Sequence, residues 1–116
     1  FSSPIIPGFE SDLDSLRAEI ERRAACKVTA KVTEDRFYRY WDHWLTGGKV
    51  THLFVIDLET REVRDLMPGS TRILDLDDAA GTFDISPDGA VWLTAHDRQG
   101  PSDTPSLYVI TPEAVQ

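Results

Sequence analysis

Two near-copies of one short segment constrain this chain more than any other feature. Leu53-Phe54-Val55-Ile56 and Leu107-Tyr108-Val109-Ile110 stand at an offset of 54 residues. The same offset lays Ala90 to Asp97 over Arg36 to His43, strand on strand, and the loop Gln99 to Pro105 over the break between Leu45 and Thr51. A meander of antiparallel strands recurring at about forty to fifty residues, or slightly more, is the sequence signature of propeller blades. The repeat appears at most twice and its second copy stops after a third strand, whereas a closed ring takes about four to eight blades. The expected fold is therefore mainly β: antiparallel meander strands of about two incomplete propeller blades, plus one amino-terminal amphipathic α-helix. The expected division is residues 1–27 for a strand end, loop and helical insertion, 28–69 for the first blade repeat and 70–116 for the incomplete second, all one fragment of a larger propeller domain.

The local patterns fit that outline. Pro4, Pro7 and Gly8 read as a strand end running into a loop. Ser11 with Asp14 looks like a capping box, and Leu13, Leu16 and Ile20, continued by Ala24, fall on one face of a helix of about four turns. Arg36 to Leu45 is an aromatic run of high strand propensity, broken by Gly47-Gly48. Thr51 to Leu58 is apolar on both faces, the pattern of a strand buried on both sides. Strands are also expected at Glu62 to Leu66, Thr82 to Ser86, Ala90 to His96 and Ser106 to Thr111. Pro87-Asp88-Gly89 supplies a type I turn between the second and third of these.

Composition narrows the function classes. Twelve basic against twenty acidic residues give a net charge of -8, which repels phosphate backbones and anionic lipid. Neither a nucleic-acid partner nor a membrane is expected, and no apolar run approaches a membrane span. Cys26 is the only cysteine, so no internal disulfide forms, and without asparagine there is no glycosylation sequon. The chain opens at Phe1 with no initiator methionine or targeting pattern, which suggests a piece of something longer. The compartment stays open, with the cytoplasm favoured over the periplasm.

Phe83-Asp84-Ile85-Ser86-Pro87-Asp88-Gly89 resembles a hairpin found in many propellers. Tyr38-Arg39-Tyr40-Trp41-Asp42-His43-Trp44, followed by Gly47-Gly48-Lys49, His52-Leu53-Phe54-Val55, Asp57-Leu58, Arg64-Asp65-Leu66 and Pro68-Gly69, narrows the likeness. Together they resemble the amino-terminal propeller of the prolyl oligopeptidase family, in its dipeptidyl-aminopeptidase and acylaminoacyl-peptidase branch. The resemblance covers nearly the whole chain and implies a scaffold rather than a catalyst. Family members carry their catalytic serine on a Gly-x-Ser-x-Gly elbow in a carboxy-terminal α/β-hydrolase domain. None of the eight serines here has glycines at both minus two and plus two, so no catalytic residue carries over. The implied partners are that hydrolase domain of the parent chain and a peptide substrate, with no cofactor. Exposed sheet edges are expected to permit self-association. A non-enzymatic propeller serving as a binding or scaffold module is the alternative. One departure is Arg61, which stands where such turns usually carry glycine.

The candidate substrate-binding residues are Arg39, Trp41, Asp42 and His43. On a continuous strand Phe37, Arg39, Trp41 and His43 share one face, and Tyr38, Tyr40, Asp42 and Trp44 the other. Arg39 can grip a carboxylate with two parallel hydrogen bonds, or Asp42 a free amino group. The blander alternative, which the residues favour, is that Arg39 and Asp42 pin the strand while the tryptophans fill space between blades. His43, His52 and His96 lack metal-ligand spacing and read as ordinary polar histidines. Asp75, Asp77 and Asp78 read as a solvated loop, lacking the glycine and glutamate of a calcium loop. Cys26 reads as incidental, and the helix stripe as a face that packs on the parent protein and is sticky without it.

Overall fold

The computed structural model describes residues 1–9, 12–28, 30, 32–33, 38–40, 43–45, 48–74, 81–97, 105–111 and 113, with only the backbone of residue 43. The elements run β1 (Ser2–Ile5), α1 (Leu13–Ala24), β2 (Arg39–Tyr40), β3 (His43–Trp44), β4 (Val50–Ile56), β5 (Val63–Asp65), β6 (Phe83–Ile85), β7 (Val91–Ala95) and β8 (Ser106–Ile110). Two antiparallel three-stranded sheets dominate, ordered β1-β4-β5 and β6-β7-β8, and β2 with β3 forms a separate two-stranded ribbon. Among the described residues the chain is thus mainly β with one helix near its amino terminus, and neither sheet closes on itself.

Turn chemistry explains both hairpins. Between β4 and β5, Asp57 Oδ1 accepts the N–H groups of Glu59 and Thr60 at 2.8 Å each, and Arg61 N donates to Asp57 O at 2.9 Å. The Thr60 and Glu59 amides hold the Asp57 carboxyl below the usual carboxylate range. The turn closes with Arg61 at φ 61°, the left-handed region that favours glycine. Arg61→Gly is therefore expected to stabilise the chain by about 1 kcal/mol, read as a raised denaturant midpoint with unchanged slope. An unchanged or lowered midpoint counts against strain at this turn. Between β6 and β7 the turn expected at Pro87-Asp88-Gly89 is present: Gly89 N donates to Ser86 O at 2.9 Å across Pro87-Asp88, and Gly89 itself has φ 88°. Asp88 takes the Ser86 hydroxyl and, at 3.3 Å, the Ala90 N–H, and these bonds lower its pKa.

The core lies between the two sheets. Leu53, Met67, Leu74, Val91, Leu93 and Ala95 form one buried cluster, flanked by Leu66, Phe83, Tyr108 and Ile110. Strand alternation explains which residues enter it. Leu53 turns toward the second sheet, while Phe54 turns to the opposite face and stacks on Phe1 at 5.4 Å. In the second sheet Val91, Leu93 and Ala95 point inward, and Trp92, Leu107 and Val109 lie on the outer face, 43%, 62% and 45% exposed. The expectation that Thr51 to Leu58 is buried on both sides holds only at its start, because Ile56 and Leu58 emerge into solvent.

The helix is capped by Asp12 rather than Ser11: Asp12 Oδ1 accepts Asp14 N at 3.1 Å and Ser15 N at 3.0 Å. It buries no residue, and Leu13 and Leu16 border a shallow apolar groove of about 180 Å³ with Phe1, Ile5, Phe54 and Val63. Its stability is therefore strongly local. Glu19 bonds Arg22 at 2.7 and 2.8 Å and Arg23 at 2.7 Å. The Arg22 bond and then the Arg23 bond pull the Glu19 carboxyl down to about 2. The Ser15 hydroxyl and then the Ser15 amide lower Asp12. A carboxylate with a depressed folded-state pKa stabilises above its unfolded value, and that contribution is lost as pH falls through the folded one. Helical circular dichroism should accordingly fall between the usual carboxylate range and about pH 2, with Glu19→Gln flattening the profile. An acid profile that E19Q leaves unaltered assigns the loss elsewhere.

Candidate functional site

The aromatic segment is not one long strand. β2 pairs antiparallel with β3, Arg39 opposite Trp44 and Tyr40 opposite His43, so the continuous strand expected over Arg36 to Leu45 is replaced by a tight ribbon. Leu45 N donates to Tyr38 O at 2.9 Å, and the Tyr38 and Trp44 rings lie 6.0 Å apart, which fixes the ribbon from its open end. Nor does the segment occupy the place beside β4 that the 54-residue offset assigns to it. β1 fills that place, pairing Ser2 with Leu53 and Ile5 with Val50. The physical reason is that β1 buries Ile5 opposite Val50 and lays Phe1 onto Phe54. Arg39 and the backbone of His43 therefore stand on adjacent strands of an exposed ribbon rather than on one face of a strand. Trp41, Asp42 and the side chain of His43 lie outside the described residues.

A more concentrated group of polar side chains lies on the Phe54 side of β4 and β5, against the loop that follows β5. His52 is 0% exposed. Its Nδ1 lies 2.6 Å from Asp65 Oδ2, and its Nε2 lies 2.9 Å from the carbonyl oxygen of Ser70. Asp65 Oδ1 accepts Met67 N at 2.8 Å, so one carboxylate ties the ring to the following turn. His52 and Asp65 share a face because Asp65 pairs with Phe54, two residues along the strand. Sequence reasoning reads His52 as an ordinary polar histidine; the available signal was a lone imidazole inside an apolar strand.

The residue types match an acid–histidine–serine set, and the geometry does not. The ring meets the serine through its carbonyl, while the Ser70 hydroxyl accepts Arg72 N at 3.2 Å. A base that does not touch the hydroxyl cannot activate it, and an imidazole with no exposed surface meets no substrate. The group is a clamp on the loop, not a nucleophile.

Beside the clamp opens a cleft of about 370 Å³, bordered by Leu66 to Ser70, Arg72, Leu93 and β8 from Tyr108 to Ile110. The Arg72 guanidinium lies 4.5 Å over the Tyr108 ring, a cation–π contact, and its Nε is buried with no hydrogen-bond partner. Among the described residues no three His, Cys, Asp or Glu side chains come together to hold a metal, and no helix is long and apolar enough to cross a membrane. Cys26 is exposed. Comparison with protein-family models, curated proteins and solved structures finds no match to this chain.

Proposed function

We propose that this chain is a non-catalytic sector of the propeller of a prolyl-oligopeptidase-type serine exopeptidase, shaping peptide access to a hydrolase domain elsewhere in the parent. The observation that carries this reading is the sense in which the sheets stack. The Leu53 side of the first sheet packs on the Leu93 side of the second, and the equivalent Leu107 side of the second lies open. Sheets stacked repeatedly in one sense are what a ring of blades requires. The His52 clamp, which leaves Ser70 unactivated, supports a part without chemistry of its own.

The test is the reading frame of the parent gene. A Gly-x-Ser-x-Gly elbow followed by aspartate and histidine supports the peptidase reading, and a stop codon soon after the last blade overturns it in favour of a binding propeller. Within a peptidase parent, Arg39→Ala and Asp42→Ala address substrate grip. Altered preference between free and amino-blocked dipeptides, at unchanged stability, supports it; equal loss of folding with unchanged preference leaves only a structural role.

A further inference from the structure

We infer that His52 and Asp65 form a proton-operated latch: the pair holds two protons while the loop at residues 68–72 is closed, and loss of one of them opens the loop at Ser70. His52 Nδ1 lies 2.6 Å from Asp65 Oδ2, and Nε2 lies 2.9 Å from the Ser70 carbonyl oxygen. A carbonyl oxygen only accepts, so Nε2 carries a proton. A ring nitrogen does not rest 2.6 Å from a carboxylate oxygen unless a proton lies between them, so the first contact holds the second proton. Asp65 Oδ1 accepts Met67 N at 2.8 Å, a bond that favours the charged carboxylate and leaves the shared proton on Nδ1. The closed clamp therefore contains an imidazolium with no exposed surface, its charge matched by one carboxylate.

With one proton fewer the two contacts cannot both be kept. A neutral imidazole has one N–H and one bare nitrogen. The carboxylate, as the charged acceptor, retains the donor, and a bare Nε2 then faces the Ser70 oxygen, two acceptors in contact inside the protein. Relief comes from the loop, because His52 lies within β4 and Ser70 on irregular backbone. The closed form binds one proton more than the open form, so rising pH favours opening. Among the described residues few charged groups face the ring. β4 itself carries no other, and β5 supplies Asp65, while Arg64 stands opposite Val55 on the other face. β1 sets the uncharged Ser3 opposite His52. At the far end of the loop the Arg72 guanidinium lies over Tyr108, and Ile73 bridges to His96. Leu66 to Ser70 and Arg72 wall the cleft of about 370 Å³, so the latch sets the shape of that cleft. The inference does not depend on the peptidase reading.

The test is nuclear magnetic resonance of the isotopically labelled full chain, following the His52 ring nitrogens and the backbone amides of residues 69–72 as the pH is raised from neutral. Two protonated ring nitrogens are expected at the start, then loss of a proton in a single step that leaves Nε2 bare. The amide signals of residues 69–72 should move in that same step while those of β7 stay. Exchange protection at Ser70, whose N–H donates to Met67 O at 2.9 Å, should fall roughly tenfold across it, the scale of one net hydrogen bond. Asp65→Asn separates a latch from a plain brace. Its amide can donate to Nδ1 and still accept Met67 N, so a neutral ring keeps both contacts and the loop should no longer respond to pH. If D65N fails to fold, the ring and loop signals of the parent chain decide alone. The inference is overturned by a bare ring nitrogen at neutral pH beside a closed loop, or by loop signals that do not move with the ring. A ring that stays doubly protonated until the whole chain unfolds, or a folded D65N whose loop keeps the step, also overturns it.

Discussion

His52→Ala should destabilise the chain by about 2–5 kcal/mol, from buried hydrogen-bonding groups left without a partner and from the cavity left by the ring. The substitution leaves Asp65 Oδ2 and the Ser70 carbonyl without the ring that joins them, 2.6 and 2.9 Å away. It also opens a void on the Phe54 side of β4, at a position with no exposed surface. Asp65→Asn is the milder companion, because an amide keeps the volume and still offers an oxygen to Met67 N. Urea denaturation of both variants against the parent chain checks the order. A loss below about 1 kcal/mol for H52A means that the loop is held by Met67 and Leu74 rather than by the clamp. Loss of order confined to Met67–Arg72, with the strands intact, is the expected local signature in hydrogen exchange.

The strands were legible where local chemistry dictated them. Ser86-Pro87-Asp88-Gly89 encodes its own turn, and a strand follows it directly at Val91. The turn at Glu59 to Arg61 could be placed, with Arg61 marked as standing where glycine is usual, because a backbone with positive φ conflicts with a Cβ wherever the chain sits. What the sequence could not convey was competition between segments for one edge. β1 and the aromatic stretch are both plausible neighbours for β4, and the repeat offset favoured the second. The contact of Phe1 with Phe54, across 53 residues, is non-local and leaves no periodic trace. The clamp was hidden for the same reason. His52, Asp65 and Ser70 converge only after the β4–β5 register is fixed, since a single-residue slip would carry Asp65 to the other face of the sheet. The helix stripe was legible as a pattern, yet its burial was not, because Leu13 stays 72% exposed on a groove that only partly covers it.

Leu53→Ala and Leu107→Ala make the sharpest internal comparison in this molecule. The two leucines open the two copies of the repeat and point to equivalent sides of their sheets. Leu53 is 2% exposed in the buried cluster, and Leu107 is 62% exposed on the outer face beside Trp92 and Val109. Truncating a buried leucine costs about 2–5 kcal/mol through lost transfer energy and a residual cavity, whereas a surface truncation typically stays within about 0.5 kcal/mol. Thermal or denaturant unfolding at low protein concentration should reproduce that gap. Similar losses at both sites would mean that the outer face is already covered. A cost at Leu107 that grows with protein concentration would locate the cover in a second molecule, because only an intermolecular contact makes stability depend on concentration. The outer face carrying Trp92, Leu107 and Val109 is thus the side whose counterpart in the first sheet is already closed, and under the proposed propeller reading it is the side on which a further sheet would stack.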